Sequence, residues 1–283
     1  METKSFLHDG TIGDVWAAIP AIKEYCRQMD KKAIIYLTNG QKATYYDGAT
    51  HPTRDSENNM VMLNEQVINM MIPLLKAQPY IKDAKIHNEE LIDVDLNAIR
   101  HTFVNIPFGM LSRWYFYKFP ELVCNLAEEY IFVPDAEKDF AKDKIIVART
   151  ERYLNDFISY SFLKEYEDDL VFVGTMREYN NFCMTFDLNI RKMVISNFLE
   201  LAQALKQSKG LISNQTQIFQ IAEGLKIPRI VELCAFAPNV VPIGDNAFDF
   251  YGQQGLEIYF HRINGTTEQY IHKLKNPAIK SEV

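Results

Sequence analysis

The sequence predicts an α/β protein of two successive domains, each a parallel sheet covered by helices. Three observations carry this. The 283 residues suit two domains of roughly 140 residues each better than one or three. Short apolar runs alternate with helical patterns twice along the chain, and parallel strands need such crossover helices. Between the two series lies a charged, punctuated stretch, Pro134 to Lys144, which reads as an interdomain linker. The expected domains are residues 1–138 and 139–283, with the final helix able to pack back on the first domain.

Taken in order, Ser5 to His8 reads as a strand and Asp9-Gly10-Thr11-Ile12-Gly13-Asp14 as a turn. Val15, Ala18, Ile19, Ile22 and Cys26 recur at helical spacing, with Pro20 inside the helix predicting a kink or an early first turn. Ala33 to Thr38 is β-rich and completes a βαβ unit. Tyr45 to Asn59 reads as a long loop, Glu65 to Leu75 as a helix and Lys85 to His87 as a brief strand. Leu91 to Leu96 alternates apolar and acidic residues, and Phe108 to Tyr130 is aromatic-rich and expected to be helical in its second half. Beyond the linker, strands are expected at Ile145 to Ala148, Leu170 to Val173, Leu211 to Ser213 and Arg229 to Glu232. Helices are expected at Phe198 to Gln207, Gln217 to Leu225 and Thr267 to Leu274. Strands this short and apolar suit a sheet buried on both faces.

Composition narrows the function classes. With 47% hydrophobic and 24% charged residues the chain can bury a core. Thirty basic against 37 acidic side chains, net charge −7, argue against a nucleic-acid coat, which needs clustered Lys and Arg. The longest apolar run, Trp16 to Ile22, falls short of a membrane span, and the N-terminus lacks a signal-peptide pattern. Cys26, Cys124, Cys183 and Cys234 are widely spaced, as suits reduced thiols in a cytoplasmic protein. The six His residues show no metal-ligand spacing, so no metal cofactor is expected.

Four clusters could carry chemistry. The Gly10 to Asp14 turn ends a strand and opens a helix; Asp14 either caps that helix or faces a ligand cleft at the carboxyl edge of the sheet. Arg149, Thr150, Glu151, Arg152 and Tyr153 follow the first strand of the second domain, either as a diphosphate clamp or as a solvated loop. Gly174 and Thr175, with Arg177, Glu178 and Tyr179 behind them, end the next strand, as a ligand edge or an ordinary turn. Ser213, Asn214, Gln215 and Thr216 lead into a helix N-terminus, whose unpaired N–H groups favour an anion or are simply capped. Glu223 ends that helix and is a weaker candidate for reaching a cleft.

Phe6-Leu7-His8-Asp9-Gly10-Thr11-Ile12-Gly13-Asp14-Val15 with Ile19-Pro20-Ala21-Ile22 resembles the opening of glycosyltransferase family 9, the heptosyltransferase-like group. Ser208 to Asn214, followed by Ile221-Ala222-Glu223-Gly224-Leu225-Lys226-Ile227-Pro228, resembles the same family's donor-site stretch. The resemblance implies two Rossmann-like domains with parallel sheets facing a cleft, the GT-B type. It implies transfer of a sugar from a nucleotide-activated donor to an acceptor hydroxyl, inverting and metal-independent, in glycan or polysaccharide synthesis. Asp14 matches the catalytic carboxylate, and Asn214, Gln215 and Thr216 match the donor-phosphate segment. Gly13, Arg149, Arg152, Thr175 and Glu178 complete the expected donor-binding set. The expected partners are the nucleotide sugar and a glycan or lipid-linked saccharide acceptor.

The chain departs from the family at the donor helix, where an acidic residue, a hydroxyl, a Gly and a His are replaced by Gln215, Thr216, Gln217 and Gln220. Two rival expectations stand beside the transferase. One is a non-catalytic nucleotide-sugar-binding or scaffold protein of the same fold. The other is a different enzyme on that fold, a nucleotide-sugar epimerase or a glycosyltransferase acting on modified DNA.

Overall fold

A computed structural model describes residues 2–43, 51, 53–101 and 107–275. The first half opens with β1 (Thr3–His8), α1 (Ile12–Met29) and β2 (Lys32–Leu37). It continues with α2 (Glu65–Lys76), β3 (Ile81–Ile86), β4 (Val94–Asp95), a 3-10 helix (Leu96–His101) and α3 (Leu111–Lys118). The second half holds β5 (Ile145–Ala148), a 3-10 helix (Ser161–Asp169), β6 (Leu170–Phe172), α4 (Met176–Phe186), β7 (Arg191–Lys192) and α5 (Phe198–Gln207). It ends with β8 (Gly210–Asn214), α6 (Gln217–Leu225), β9 (Arg229–Glu232), β10 (Ala247–Phe250), α7 (Gln253–Asn264) and α8 (Thr267–Lys275).

Strand order is β3-β2-β1-β4 in the first sheet and β10-β9-β8-β5-β6-β7 in the second. All the pairings are parallel, in register from Thr3↔Lys32 to His8↔Leu37 for β1 and β2. Parallel strands put every carboxyl end on one edge. In the first sheet that edge carries the Asp9–Asp14 turn; in the second it carries the stretches after Ala148, Phe172, Asn214 and Glu232.

The two sheets share a core. One apolar cluster runs from Phe6, Ile19 and Ile22 through Leu74 and Leu75 to Leu201, Leu211, Phe219 and Val231. The link is made by helices: α1 packs on α6 and α2 on α5. That is why α1 is apolar on nearly every side from Val15 to Ile22; one side meets its own sheet and another meets α6. The opposite face of the second sheet closes separately over Phe172, Phe182, Phe260 and Leu256. The segment before β5 is tied to both halves. Backbone N–H groups of Tyr130 and Ile131 donate to Gly224 O, and that of Phe132 donates to Gln78 Oε1. A Cβ on Gly224 would stand 2.5 Å from Ile131, so only glycine permits this approach.

Several expectations are corrected. The helix in the aromatic stretch lies in its first half, because Pro120 and the turn residues after it stop α3 at Lys118. The strand expected at Lys85 begins at Ile81, and α4, β7, β10 and α7 are further elements. α1 continues through Pro20 to Met29, its C-cap Asp30 taking a left-handed conformation. Of the long loop, residues 45–50 and 52 lie outside the described residues; within the rest Arg54 bridges Met60 antiparallel, and Lys42 and Val61 bridge on its flanks. α8, for which a return to the first half was open, bonds within the second: Tyr270 Oη donates to Glu257 and Lys273 pairs with Glu165.

Candidate active site

Asp14 stands in the first turn of α1 and is held from three directions. Thr11 donates to its Oδ2 through the backbone N–H (2.9 Å) and the hydroxyl (3.0 Å), closing a capping box with the Asp14 N–H. Arg100, on the 3-10 helix after β4, donates to the same oxygen at 2.6 Å. Asp14 therefore caps α1 at the carboxyl edge of the first sheet, and the residue is 9% exposed.

Behind the turn lies a directed chain of hydrogen bonds. Gly10 N–H donates to His8 Nδ1 (2.9 Å), so the imidazole proton sits on Nε2. Nε2 lies 2.8 Å from Tyr115 Oη, which donates on to the Asp14 carbonyl (3.1 Å). Burial pulls the His8 pKa down to about 4, so the ring is neutral and this tautomer persists at physiological pH. Gly10 is obligatory: a Cβ there would come within 2.7 Å of His8 and 2.8 Å of Asp14. Asp9, whose N–H donates to Asn97 Oδ1, has its carboxyl pushed above the usual range by partial burial.

The first turn of α6 lies beside this turn. A Cβ on Gly13 would be 4.0 Å from Gln217 Cα, so the two helix starts lie near each other where α1 packs on α6. Thr216 caps α6, accepting from Phe219 N–H at 3.2 Å and bonding Ser213 Oγ at 2.9 Å. The first turn of α6 carries no acidic residue, so its dipole and first N–H groups remain available to an anion.

The other predicted residues build the rim. Asn214, fully buried, accepts from Thr150 N–H and donates to the Arg152 carbonyl at 2.7 Å, shaping the loop after β5. Gln215 donates to Ala237 O and accepts from Cys234 N–H, fixing the loop after β9. Arg149 makes two bonds to the fully buried Glu232, through Nε (2.8 Å) and Nη2 (2.9 Å), over the rings of Tyr160 and Phe186. Glu232 also accepts from Tyr160 Oη and Asn155 N–H. Arg149 thus anchors the loop, with only Nη1 outside the pair. The Arg152 guanidinium lies 5.7 Å from the Tyr153 ring.

Thr175 and Glu178 form a second capping box, at α4. They share the carboxyl edge with Asn214 but sit two strands away, about 10 Å at the usual strand spacing. Glu223 does not reach the cleft. It is fully buried, pairs with Lys226 and Arg229 and accepts from Ile243 N–H, because the turn after α6 needs a central anion.

Sequence reasoning missed Arg100, Tyr115 and Glu232, which reach their partners across 86, 101 and 83 residues of chain. It noted Gln217 and Gln220 only as departures. In the structure Gln217 Oε1 and both amide atoms of Gln220 are buried without a hydrogen-bond partner. Each such group costs about 1–3 kcal/mol. Among the described residues no group of three or more His, Cys, Asp or Glu could hold a metal ion. No described helix is long and apolar enough to cross a membrane.

No family model matches the chain, and no curated protein matches it in sequence. Solved structures do match in shape. A glycosyl transferase family 9 protein from Veillonella parvula aligns over 99% of this chain and 98% of its own, with a TM-score of 0.54 and 10% identity. The ADP-heptose lipopolysaccharide heptosyltransferase II of E. coli aligns over 95% and 99%, with a TM-score of 0.55 and 10% identity. The chain has the GT-B fold. TibC, an iron-containing dodecameric glycosyltransferase from enterotoxigenic E. coli, aligns over 100% of this chain and 78% of its own, again with a TM-score of 0.55 and 10% identity. Gly13 and Gln217 follow the carboxyl ends of β1 and β8, one strand in each sheet.

Proposed function

We propose that this protein is a glycosyltransferase, moving a sugar from a nucleotide-activated donor to an acceptor hydroxyl with inversion and without a divalent cation. The observation that carries the reading is the placement of Asp14 beside the acid-free N-terminus of α6, each from a different half of the fold. A base on one side and an anion site on the other is what in-line displacement of a nucleoside diphosphate requires.

In the proposed reaction the Asp14 carboxylate takes the proton of the acceptor hydroxyl as its oxygen attacks the anomeric carbon. The bond from that carbon to the diphosphate breaks, and the departing oxygen gains charge. The N–H groups of Gln217 and Ile218 and the α6 dipole meet that charge, with Thr216 capping the helix and Gly13 leaving room between the helices. Thr11 and Arg100 hold Asp14 Oδ2, which leaves Oδ1 as the base. Arg149, Asn214 and Gln215 act by holding the donor-side loops, with Arg152, Thr175 and Glu178 on the rim. The donor would sit on residues 139–283 and a glycan or lipid-linked saccharide acceptor on residues 1–138, in cytoplasmic glycan synthesis.

The test incubates the whole protein with a panel of nucleotide sugars and measures released nucleoside diphosphate. Turnover should persist in EDTA, and Asp14→Asn should lower it about 10²-fold or more while donor titration is unchanged. Full activity in Asp14→Asn would remove Asp14 from the mechanism. A second reading, a non-catalytic nucleotide-sugar binder, draws on Asn214 and Gln215 being committed to loop contacts. Donor binding with no release on any acceptor would favour it.

A further inference from the structure

At the carboxyl edge of the first sheet Asp9, Asp14 and Asp95 act electrostatically on one another and on a single cation, Arg100. Two of these acids have partners. Asp14 accepts from Thr11 and Arg100, and Asp95 Oδ1 accepts the Asn97 N–H at 2.9 Å. Asp9 follows β1 directly, and its backbone is fixed, because its N–H donates to Asn97 Oδ1 at 2.9 Å. Its half-buried carboxyl bonds no other described residue, and burial pushes that carboxyl above the usual range. Arg100 bonds Asp14 instead. A carboxyl taken partly out of water without a partner costs stability, and such costs collect where a ligand supplies the partner.

The placement of Asp9 says what that partner is. A Cβ on Gly10, the next residue, would stand 2.8 Å from Asp14 Oδ2, so Asp9 is one residue from the backbone that touches the proposed base. An ionised carboxylate accepts hydrogen bonds, donates none and repels other anions. Asp14 with Oδ1 open and Asp9 without a partner together match two neighbouring hydroxyl groups, one to lose its proton and one to be held. An acceptor with a phosphate or carboxylate at that point would meet three acids, with the one guanidinium bonded to Asp14.

We propose that Asp9 binds the acceptor through the hydroxyl next to the one that attacks, and that this acceptor is a saccharide uncharged around that diol. The proposal rests on the transferase reading above and deepens it by assigning an acceptor-binding residue and an acceptor class. Asp9 holds the hydroxyl, and no covalent bond changes at it.

Turnover of the whole protein tests this, read as diphosphate released from UDP-glucose, GDP-mannose and ADP-glucose. The uncharged acceptors are the methyl glycosides of glucose, galactose, mannose and N-acetylglucosamine; the anionic ones are methyl glucuronide and glucose 6-phosphate. An uncharged glycoside should accelerate release more than either anion. For the best glycoside, the deoxy analogue lacking the neighbouring hydroxyl should show a KM about tenfold higher. Asp9→Ala should raise the KM of the intact glycoside by a similar factor and bring the two acceptors within about twofold, with donor affinity unchanged by calorimetry. Asp9→Asn, which keeps an accepting oxygen, should fall between. Asp9→Ala should melt no lower than the wild type, since the carboxyl bonds no other described residue. A preferred anionic acceptor, a hydroxyl preference retained in Asp9→Ala, or a lower melting temperature in that variant overturns the assignment. Release that no uncharged acceptor accelerates overturns it too, and leaves the transferase reading standing. Release from no donor, with any acceptor, removes that reading and the assignment with it.

Discussion

Two helices begin side by side at the centre of this molecule and complete their first turns in opposite ways. α1 supplies its own anion: Asp14 caps the turn, bonds Thr11 twice and takes Arg100 as a counter-charge. α6 supplies none, relying on the Thr216 hydroxyl for one N–H and carrying the buried Gln217 Oε1 and Gln220 amide without a partner. The first turn is electrostatically closed and holds the carboxylate proposed as the base. The second has no acidic residue, and it is where the donor's phosphates are proposed to bind. The pair teaches that a helix N-terminus becomes a site only when the chain declines to fill it.

The closed character of the α1 turn should show in its pH dependence. His8 has a folded pKa of about 4 against an ordinary value of 6.5, so the unfolded chain binds the proton first. Stability is kept above pH 6.5, falls by about 3 kcal/mol as pH drops to about 4, and is flat in this respect below that. Denaturation at a series of pH values should show this component in the wild type and lose it in His8→Gln. Equal slopes in the two proteins would mean that the turn does not depend on a neutral imidazole.

Making α6 resemble α1 is the more direct way to break the comparison. Gln217→Glu places a carboxylate in the empty first turn. Affinity for a nucleoside diphosphate should fall about tenfold or more by like-charge repulsion. Unchanged binding in the folded variant would put the phosphates elsewhere. The smallest expected effect is that of Thr216→Ala, which removes the α6 cap and should cost about 1 kcal/mol in chemical denaturation. A neutral result there would show that ordered contacts to the first sheet's half, rather than the cap, hold this turn.

How far the sequence could lead follows the range of each interaction. β5, β9, α5 and α6 are read from local pattern because apolar spacing and caps lie inside each element. Both capping boxes are written as Thr-x-x-acid, at Thr11 and Asp14 and at Thr175 and Glu178. The second belongs to α4, and in the sequence the same residues suit a ligand edge and an ordinary turn equally. Asp14 was placed by its turn, and the β/α alternation placed the carboxyl edges. Arg100 meeting Asp14, and Glu232 capturing Arg149, depend on which strand lies beside which, and no local spacing records that. For the same reason the sequence leaves Arg149 open between a clamp and a loop residue, because its buried partner carboxylate lies 83 residues away.

The shared core beneath the two sheets bears on how the chain is made. Ile19, Ile22 and Leu75 find part of their cover on Leu201, Phe219 and Ile221, all of which leave the ribosome after the first sheet is complete. At typical elongation rates of about 5–20 residues per second the first half waits on the order of ten seconds for that cover. During that interval its greasy helical face is exposed to chaperones and to other nascent chains. Severing the gene near the middle should therefore yield an insoluble N-terminal fragment that co-expression with its other half rescues.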